Sequence, residues 1–418
     1  MSSRMQAVLP ALGGGLAVAV IFVAVLSLPL SAAEPLGLSG PETASWIAGL
    51  YGIPAVVGII LSVRYRQPLV VTGNIFIIIF VVRLGGDVPW AELVGASMLA
   101  GALVLVLGPL GLTDRLARWL PAPVVFGLLA GAVLPFFKDL FVVLGRDATL
   151  NGVDVAPNER LMAAATLAAY LAGRRWAEPR VPAIVPALVV GTLVAALTGG
   201  FGAASGGGEM FMAPVLTTPS FSLSAILTAT PVMIVFIALQ ANAPSVVFLR
   251  SQGFDPPERT VSAVSGVGTV AGSLLGPIGV SLSLPSTALT ATPDAGRHHL
   301  RYWGAVVSLG IALVVALFSG IAADLATVVA RPLLVALVGV AVVDVLARAL
   351  REVTQGPLVL GPLFAFAIAL TDIELLRLGS FFWALAGGLL ISLFLERDGW
   401  RRLQEDAPKE AEKAPAEA

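Results

Sequence analysis

The 418-residue sequence has no cysteine, which removes disulfides, thiolate metal sites and cysteine nucleophiles together. It is also poor in charge. Asp, Glu, Lys and Arg make up 12% of the chain, against about 25% in a typical soluble domain. The net charge of -1 leaves no basic excess for a nucleic-acid partner. No Ser/His/Asp constellation, metal-ligand cluster or nucleotide-binding loop appears, so the reading is of a protein that is not an enzyme, with no catalytic residues, no metal and no cofactor. What is abundant is apolar: 57% of residues are hydrophobic and the mean hydropathy is +0.93. A chain surrounded by lipid must satisfy its own backbone, and long uncharged runs of helical composition point to helices rather than a barrel. The expected class is an all-α polytopic membrane protein with the lipid bilayer as its main surroundings.

Apolar stretches of about twenty residues occur near 7–30, 43–63, 68–84, 91–111, 121–137, 158–173, 181–198, 225–249, 259–276, 278–293, 302–322, 332–348, 357–371 and 379–395, about fourteen segments. Arg4, the first run and Ser31-Ala32-Ala33 loosely imitate a signal peptide, but the run is longer than the roughly 7–15 residues of a signal core and suits a full span. With the N-terminus cytoplasmic, nineteen of the 25 Lys and Arg fall inside, and Arg83, Lys138, Arg146, Arg160, Arg331 and Arg377 fall outside. The positive-inside rule therefore places both termini in the cytoplasm. Residues 199–224, with Ser205-Gly206-Gly207-Gly208, read as an extracytoplasmic linker between two halves, and 397–418, rich in Glu, Lys, Ala and Pro, as a solvated cytoplasmic tail.

Two segments are interrupted. Thirty-four residues without a charge separate Arg259 from Asp294, too many for one helix and too few for two full spans with a turn. Within them Gly276-Pro277 breaks the chain, Val280 to Leu284 alternates as a strand does, and Pro285-Ser286-Thr287 resembles a helix start. About half the chain earlier, Pro68 to Val71 favours extended structure, Thr72-Gly73-Asn74 forms a polar break, and Ile75 to Val82 continues apolar. Paired short segments at equivalent places in two halves indicate an inverted-repeat transporter with its site at the midplane. Two half-helix N-termini converging there favour an anion.

The candidate substrate-binding residues are Thr72, Gly73, Asn74, Gln240, Asn242, Ser283, Ser286 and Thr287. For the amides the competing role is hydrogen bonding between helices, and for Asn74, Ser283 and their neighbours it is helix capping. Thr290 and Thr292 read as ordinary helix residues, and His298 and His299 as exposed in a cytoplasmic turn. No acidic residue lies at the centre of the site-forming segments. Asp344, Asp372 and Glu374 stand near helix ends, and Asp344 is the candidate for coupling to a proton.

The stretch Gln240-Ala241-Asn242-Ala243-Pro244-Ser245, then Gly253-Phe254 and Pro256-Pro257, together with Ala288 to Ala295 and Ser380 to Gly388, resembles the benzoate/proton symporter family. The likeness is good over roughly 230–396 and weaker before it. It implies a seven-plus-seven inverted repeat shared with nucleobase and sulfate permeases, in a bacterial inner membrane, commonly as a homodimer. A core domain (1–112 and 225–323) would move against a gate domain (113–198 and 324–396), and the implied function is secondary active transport of benzoate or a related small carboxylate, with a proton as co-substrate. Two departures stand out: Ala241 separates Gln240 from Asn242 where the family has Gln directly before Asn, and segment three reads Gly73-Asn74-Ile75-Phe76-Ile77 in place of a Trp-Ser-Thr-Pro-Gly type run. Alternatives are a passive channel, an inorganic-anion or nucleobase carrier of the same fold, and a non-transporting scaffold.

Overall fold

The computed structural model describes residues 3–85, 88–112, 121–145, 148–150, 153–178, 181–202, 213–371, 373–376 and 378–403. The Ser205–Gly208 run, Asp372 and most of the tail lie outside them. Helices form in each of the fourteen apolar stretches. The first half holds α1 (Ser3–Val25), α2 (Gly40–Tyr65), α3 (Ile75–Leu84), α4 (Trp90–Leu107), α5 (Ala122–Val142), α6 (Pro157–Ala172) and α7 (Ile184–Thr198). The second holds α8 (Leu223–Ser251), α9 (Glu258–Ser273), α10 (Leu284–Ala291), α11 (Tyr302–Leu317), α12 (Arg331–Gln355), α13 (Leu360–Ala369) and α14 (Ser380–Leu395). Among the described residues seven helices are long and apolar enough to cross a membrane alone. The remaining seven run from 8 to 16 residues.

The helices pack as two groups. In one, α9 lies on α4, α11 on α2, α1 on α11 and α8 on α4; in the other, α13 lies on α14 and α5, α12 on α5 and α6, and α7 on α6. Small residues permit the close crossings that dispersion and backbone approach require inside lipid: a Cβ on Gly266 of α9 would stand 2.5 Å from the backbone nitrogen of Leu105 in α4. The half-helix α3 touches the second group through α5.

At the centre of the first group the two interrupted segments meet. β1 (Val71–Gly73) pairs antiparallel with β4 (Val280–Leu282), with Thr72 opposite Ser281, while β2 (Thr149–Leu150) and β3 (Val153–Asp154) form a separate small hairpin. Asn74 N–H to Gly279 C=O at 2.7 Å and Ser283 N–H to Val70 C=O at 2.9 Å extend the central ladder at both ends. The strand lies slightly later than local propensity suggests, because Thr72 and Gly73 join it. Pairing with β4 sets its position, and Gly73 fits because a Cβ there would stand 2.8 Å from the carbonyl oxygen of Leu50. Since the strands are antiparallel and each runs directly into a helix, α3 and α10 leave the pair in opposite directions.

The outer edge of β4 and of the residues leading into it is satisfied by side chains from three helices. Asn242 of α8 accepts from Leu282 N–H at 2.8 Å, Thr269 of α9 accepts from Val280 N–H at 2.8 Å, and Ser97 of α4 donates to Ile278 C=O at 2.6 Å. In an interior without bulk water such groups cost several kcal/mol, by order of magnitude, if left unpaired. Within α8, Ala238–Asn242 form a π turn, in which Ala243 N–H reaches Ala238 C=O. Pro244 provides the cause, since it brings no N–H and its ring crowds the carbonyl of Gln240 four residues back.

A distant carboxylate caps α13. Glu396 accepts from the N–H groups of Val359 (2.6 Å), Leu360 (2.8 Å) and Gly361 (3.0 Å) and from Ser392 Oγ (3.3 Å). Partial burial opposes its ionisation, but these bonds outweigh that and hold its pKa below the ordinary glutamate value. Its contribution to stability is therefore complete above the ordinary value of about 4.3 and is lost as pH falls through the lowered one. Glu396→Gln is expected to lower the Tm of the detergent-solubilised protein at pH 7, with the gap to wild type closing below about pH 4; equal Tm values at pH 7 would remove the capping role.

Candidate functional site

A cavity of about 330 Å³ opens against the strand pair and reaches across to the second helix group. Its floor is the start of both half-helices: Thr72, Gly73, Asn74, Ile75 and Phe76 on one side, and Ser281 to Ser286 on the other, with Gln240 and Ala241 of the π turn beside them. The opposing wall comes from Phe126 and Leu129 of α5, Tyr170 of α6, Glu178, Ile184 of α7, and Val340, Asp344 and Arg348 of α12. Phe22 and Tyr51 close a further side. The lining is predominantly apolar and aromatic, with neutral polar groups gathered on the floor and charged ones on the opposing wall.

The two half-helix starts differ chemically. Asn74 is 3% exposed, and its side chain is fully employed. Its Oδ1 accepts from Phe76 N–H (2.9 Å) and Ile77 N–H (3.3 Å), and its Nδ2 donates to Phe236 C=O (3.0 Å) and Ser281 Oγ (3.1 Å). Those are the four bonds an amide can make. The N-terminus of α3 is thus already capped. At α10, Ser283 occupies the cap position without a side-chain cap bond, its hydroxyl donating instead to Ser286 Oγ at 2.9 Å. Thr287 N–H is taken by Ser283 C=O and Pro285 has no N–H, so Leu284 and Ser286 carry first-turn N–H groups with no partner inside the helix.

Gln240 completes this end. It is only 3% exposed and lines the cavity, and its side-chain amide has no hydrogen-bond partner among the described residues. Its amide opens on the cavity rather than being sealed within protein, so its donor and acceptor groups remain available there. The π turn also accounts for Ala241: an i→i+5 turn takes up one extra residue locally, so Gln240 faces the cavity while Asn242 turns toward β4.

Of the candidate residues, the structure brings Thr72, Gly73, Asn74, Gln240, Ser283 and Ser286 to one cavity. Asn242 and Thr287 lie outside its lining. Asn242 is buried behind β4, bonded to Leu282 N–H and, at 3.0 Å, to Ser265 Oγ; Thr287 is fully buried and its hydroxyl has no partner among the described residues. Thr290 bonds back to the carbonyls of Ser286 and Thr287 within its own helix, and His298 stacks on Phe254 at 3.9 Å. Asp344 does line the cavity, but as an exposed side chain paired with Arg174 at 2.6 Å. The opposing wall, above all Phe126, Tyr170 and Arg348, was not singled out in the sequence, because each lies in an unbroken helix without a local signal.

The family model described as "Benzoate membrane transport protein" matches residues 5–394. The chain belongs to the benzoate membrane transport family. It is 24% identical over 389 residues to a benzoate membrane transport protein of Acinetobacter baylyi, covering 92% of this chain and 94% of that one. It is 25% identical over 397 residues to the inner membrane protein YdcO of Escherichia coli, covering 93% and 97%. Among solved structures it resembles the transmembrane domain of a cyanobacterial bicarbonate transporter, BicA, with a TM-score of 0.55, 18% identity and coverage of 94% and 97%. It also resembles the murine Solute Carrier 26 family member A9 anion transporter in its inward-facing state, with a TM-score of 0.61, 15% identity and coverage of 93% and 68%. The chain is thus a multi-pass membrane transporter with the inverted-repeat fold of those neighbours, and not an enzyme.

These placements predict different consequences for the three amides. Gln240→Ala should leave Tm near wild type and weaken binding of a carboxylate about tenfold or more, since a hydrogen bond to a charged group contributes roughly 1.5–3 kcal/mol. Asn242→Ala and Asn74→Ala should instead lower Tm and the yield of folded protein. Thermal melts and binding isotherms on the three variants distinguish the roles, and a destabilised Gln240→Ala with unchanged affinity would reverse the assignment.

Proposed function

We propose that this protein is a secondary active transporter of a small organic anion, benzoate or a closely related carboxylate, working by alternating access. The observation that carries the reading is the unbonded, buried Gln240 beside the open N-terminus of α10, at the floor of an aromatic-walled cavity. A carboxylate placed there accepts from Leu284 N–H, Ser286 and the Gln240 amide, while an aromatic ring lies against Phe22, Phe76 and Phe126. No fixed countercharge stands on the floor. A helix N-terminus contributes roughly 0.3–1 kcal/mol, up to about 2 when partly buried, so the anion is held loosely enough to leave. The strand pair, with α3 and α10, moves as part of the first helix group against the second, which act as core and gate. Proton coupling in this reading runs through Asp344, and the protein works as a homodimer in a bacterial cytoplasmic membrane with both termini inside.

Reconstituted protein should accumulate labelled benzoate saturably and exchange it against internal benzoate, in preference to nucleobases and inorganic anions. Ser286→Asp, which sets a like charge at the open helix start, should abolish this. Asp344→Asn should uncouple accumulation from a pH gradient while exchange persists. Non-saturating flux without exchange would identify a channel instead, and full benzoate uptake by Ser286→Asp would remove the proposed carboxylate position.

A further inference from the structure

The wall opposite the floor carries a cation whose surroundings differ from those of its neighbours. Arg348 lines the cavity, and its guanidinium lies over the ring of Phe126, 5.6 Å from the centroid. No carboxylate among the described residues comes within ion-pair distance of it. The natural partner is close in sequence: Asp344 stands one turn earlier on the same helix, the spacing and order that favour an acid–base pair. Asp344 instead binds Arg174 at 2.6 Å, and Arg174 is 3.7 Å from Glu178. Arg351, the next basic residue of α12, is exposed and bonds the carbonyl of Ala347, as an ordinary solvated arginine does. Arg348 is half-buried in the cavity wall, and the Arg174 pairing holds its intrahelical acid away from it.

We infer that Arg348 and Phe126 form a second anion site, on the gate-side wall, which binds an aromatic carboxylate as it passes between solvent and the α10 floor. A guanidinium presents a planar fork that matches a carboxylate bidentately, and the face of Phe126 supports both the cation and an aromatic ring. The role of Arg174 is positional: by sequestering Asp344 it leaves the fork open. This rests on the carrier reading and adds to it a charged capture step, which gives the transporter a salt-dependent apparent affinity that the uncharged floor alone lacks.

The test is exchange of labelled benzoate, with acetate and bicarbonate alongside, in proteoliposomes at low and high ionic strength. For wild type the half-saturating concentration should rise with salt. Arg348→Gln should raise it about tenfold at low salt and flatten the salt dependence, with maximal exchange little changed. Arg348→Lys should restore the salt dependence but only part of the affinity. Arg174→Gln should shift affinity in the same direction, and the Arg174→Gln/Arg348→Gln pair should be no worse than Arg348→Gln alone. Wild-type half-saturation and salt dependence in Arg348→Gln would overturn the second site while leaving the carrier reading intact. If wild type exchanges none of the anions saturably, both fall together.

Discussion

The structure depends on satisfying two short strands in an interior that offers no bulk water. β1 and β4 answer each other's backbone groups, and α4, α8 and α9 each contribute a polar side chain to the edge that remains. This explains why Ser97, Asn242 and Thr269 sit in otherwise apolar helices: each closes a hydrogen bond that the broken segments would leave open. The helices around the strand pair are thereby fixed to it, so the first helix group is held together by directional bonds as well as by packing. Replacing the strands with continuous helices would remove the need for those polar residues and would also remove the site.

The same pairing sets the electrostatics. Antiparallel strands that each feed a helix bring two helix starts to one place with opposed directions. The two are nonetheless unequal, because Asn74 spends its carbonyl on the first N–H groups of α3, whereas Ser283 turns its hydroxyl to Ser286 and leaves α10 open. A site expected to be symmetric from the repeat therefore has one sealed and one available end. Gln240 joins the available end only because the π turn before Pro244 rotates it toward the cavity and rotates Asn242 away.

The second helix group supplies the other wall, and here chemistry changes from neutral donors to charge and aromatic surface. Glu178, Asp344 and Arg348 line the cavity on this side, with Arg174 paired to Asp344, all outside the uncharged floor. The separation is in keeping with the cost of an ionised group at depth, about 2.5–3.5 kcal/mol even on lenient scales: the strand pair and half-helix starts carry neutral polar groups, and the charged side chains stand on the opposite wall.

Much of this was legible in the chain because the signals are local. A lack of charge over 260–293, Gly276-Pro277, the alternation after Val280 and the Thr72-Gly73-Asn74 break are consequences of how a helix must stop and restart, so the helical class, the interrupted pair and the meeting of Thr72, Gly73, Asn74, Gln240, Ser283 and Ser286 at one cavity could be read directly. Three features could not. Whether Asn74 binds a ligand or caps a helix depends on where Phe236 and Ser281 come to lie, far away in sequence. Which way Gln240 and Asn242 face depends on a π turn that Pro244 permits but does not dictate. The opposing wall has no sequence signature, since Phe126, Tyr170 and Arg348 come to face the strands only when α5, α6 and α12 pack across from them. The sequence by itself determined where backbone regularity fails, because that is governed by residues adjacent in the chain; the tertiary structure alone decided which polar groups remain free to meet a ligand, because that is governed by partners the chain brings from elsewhere.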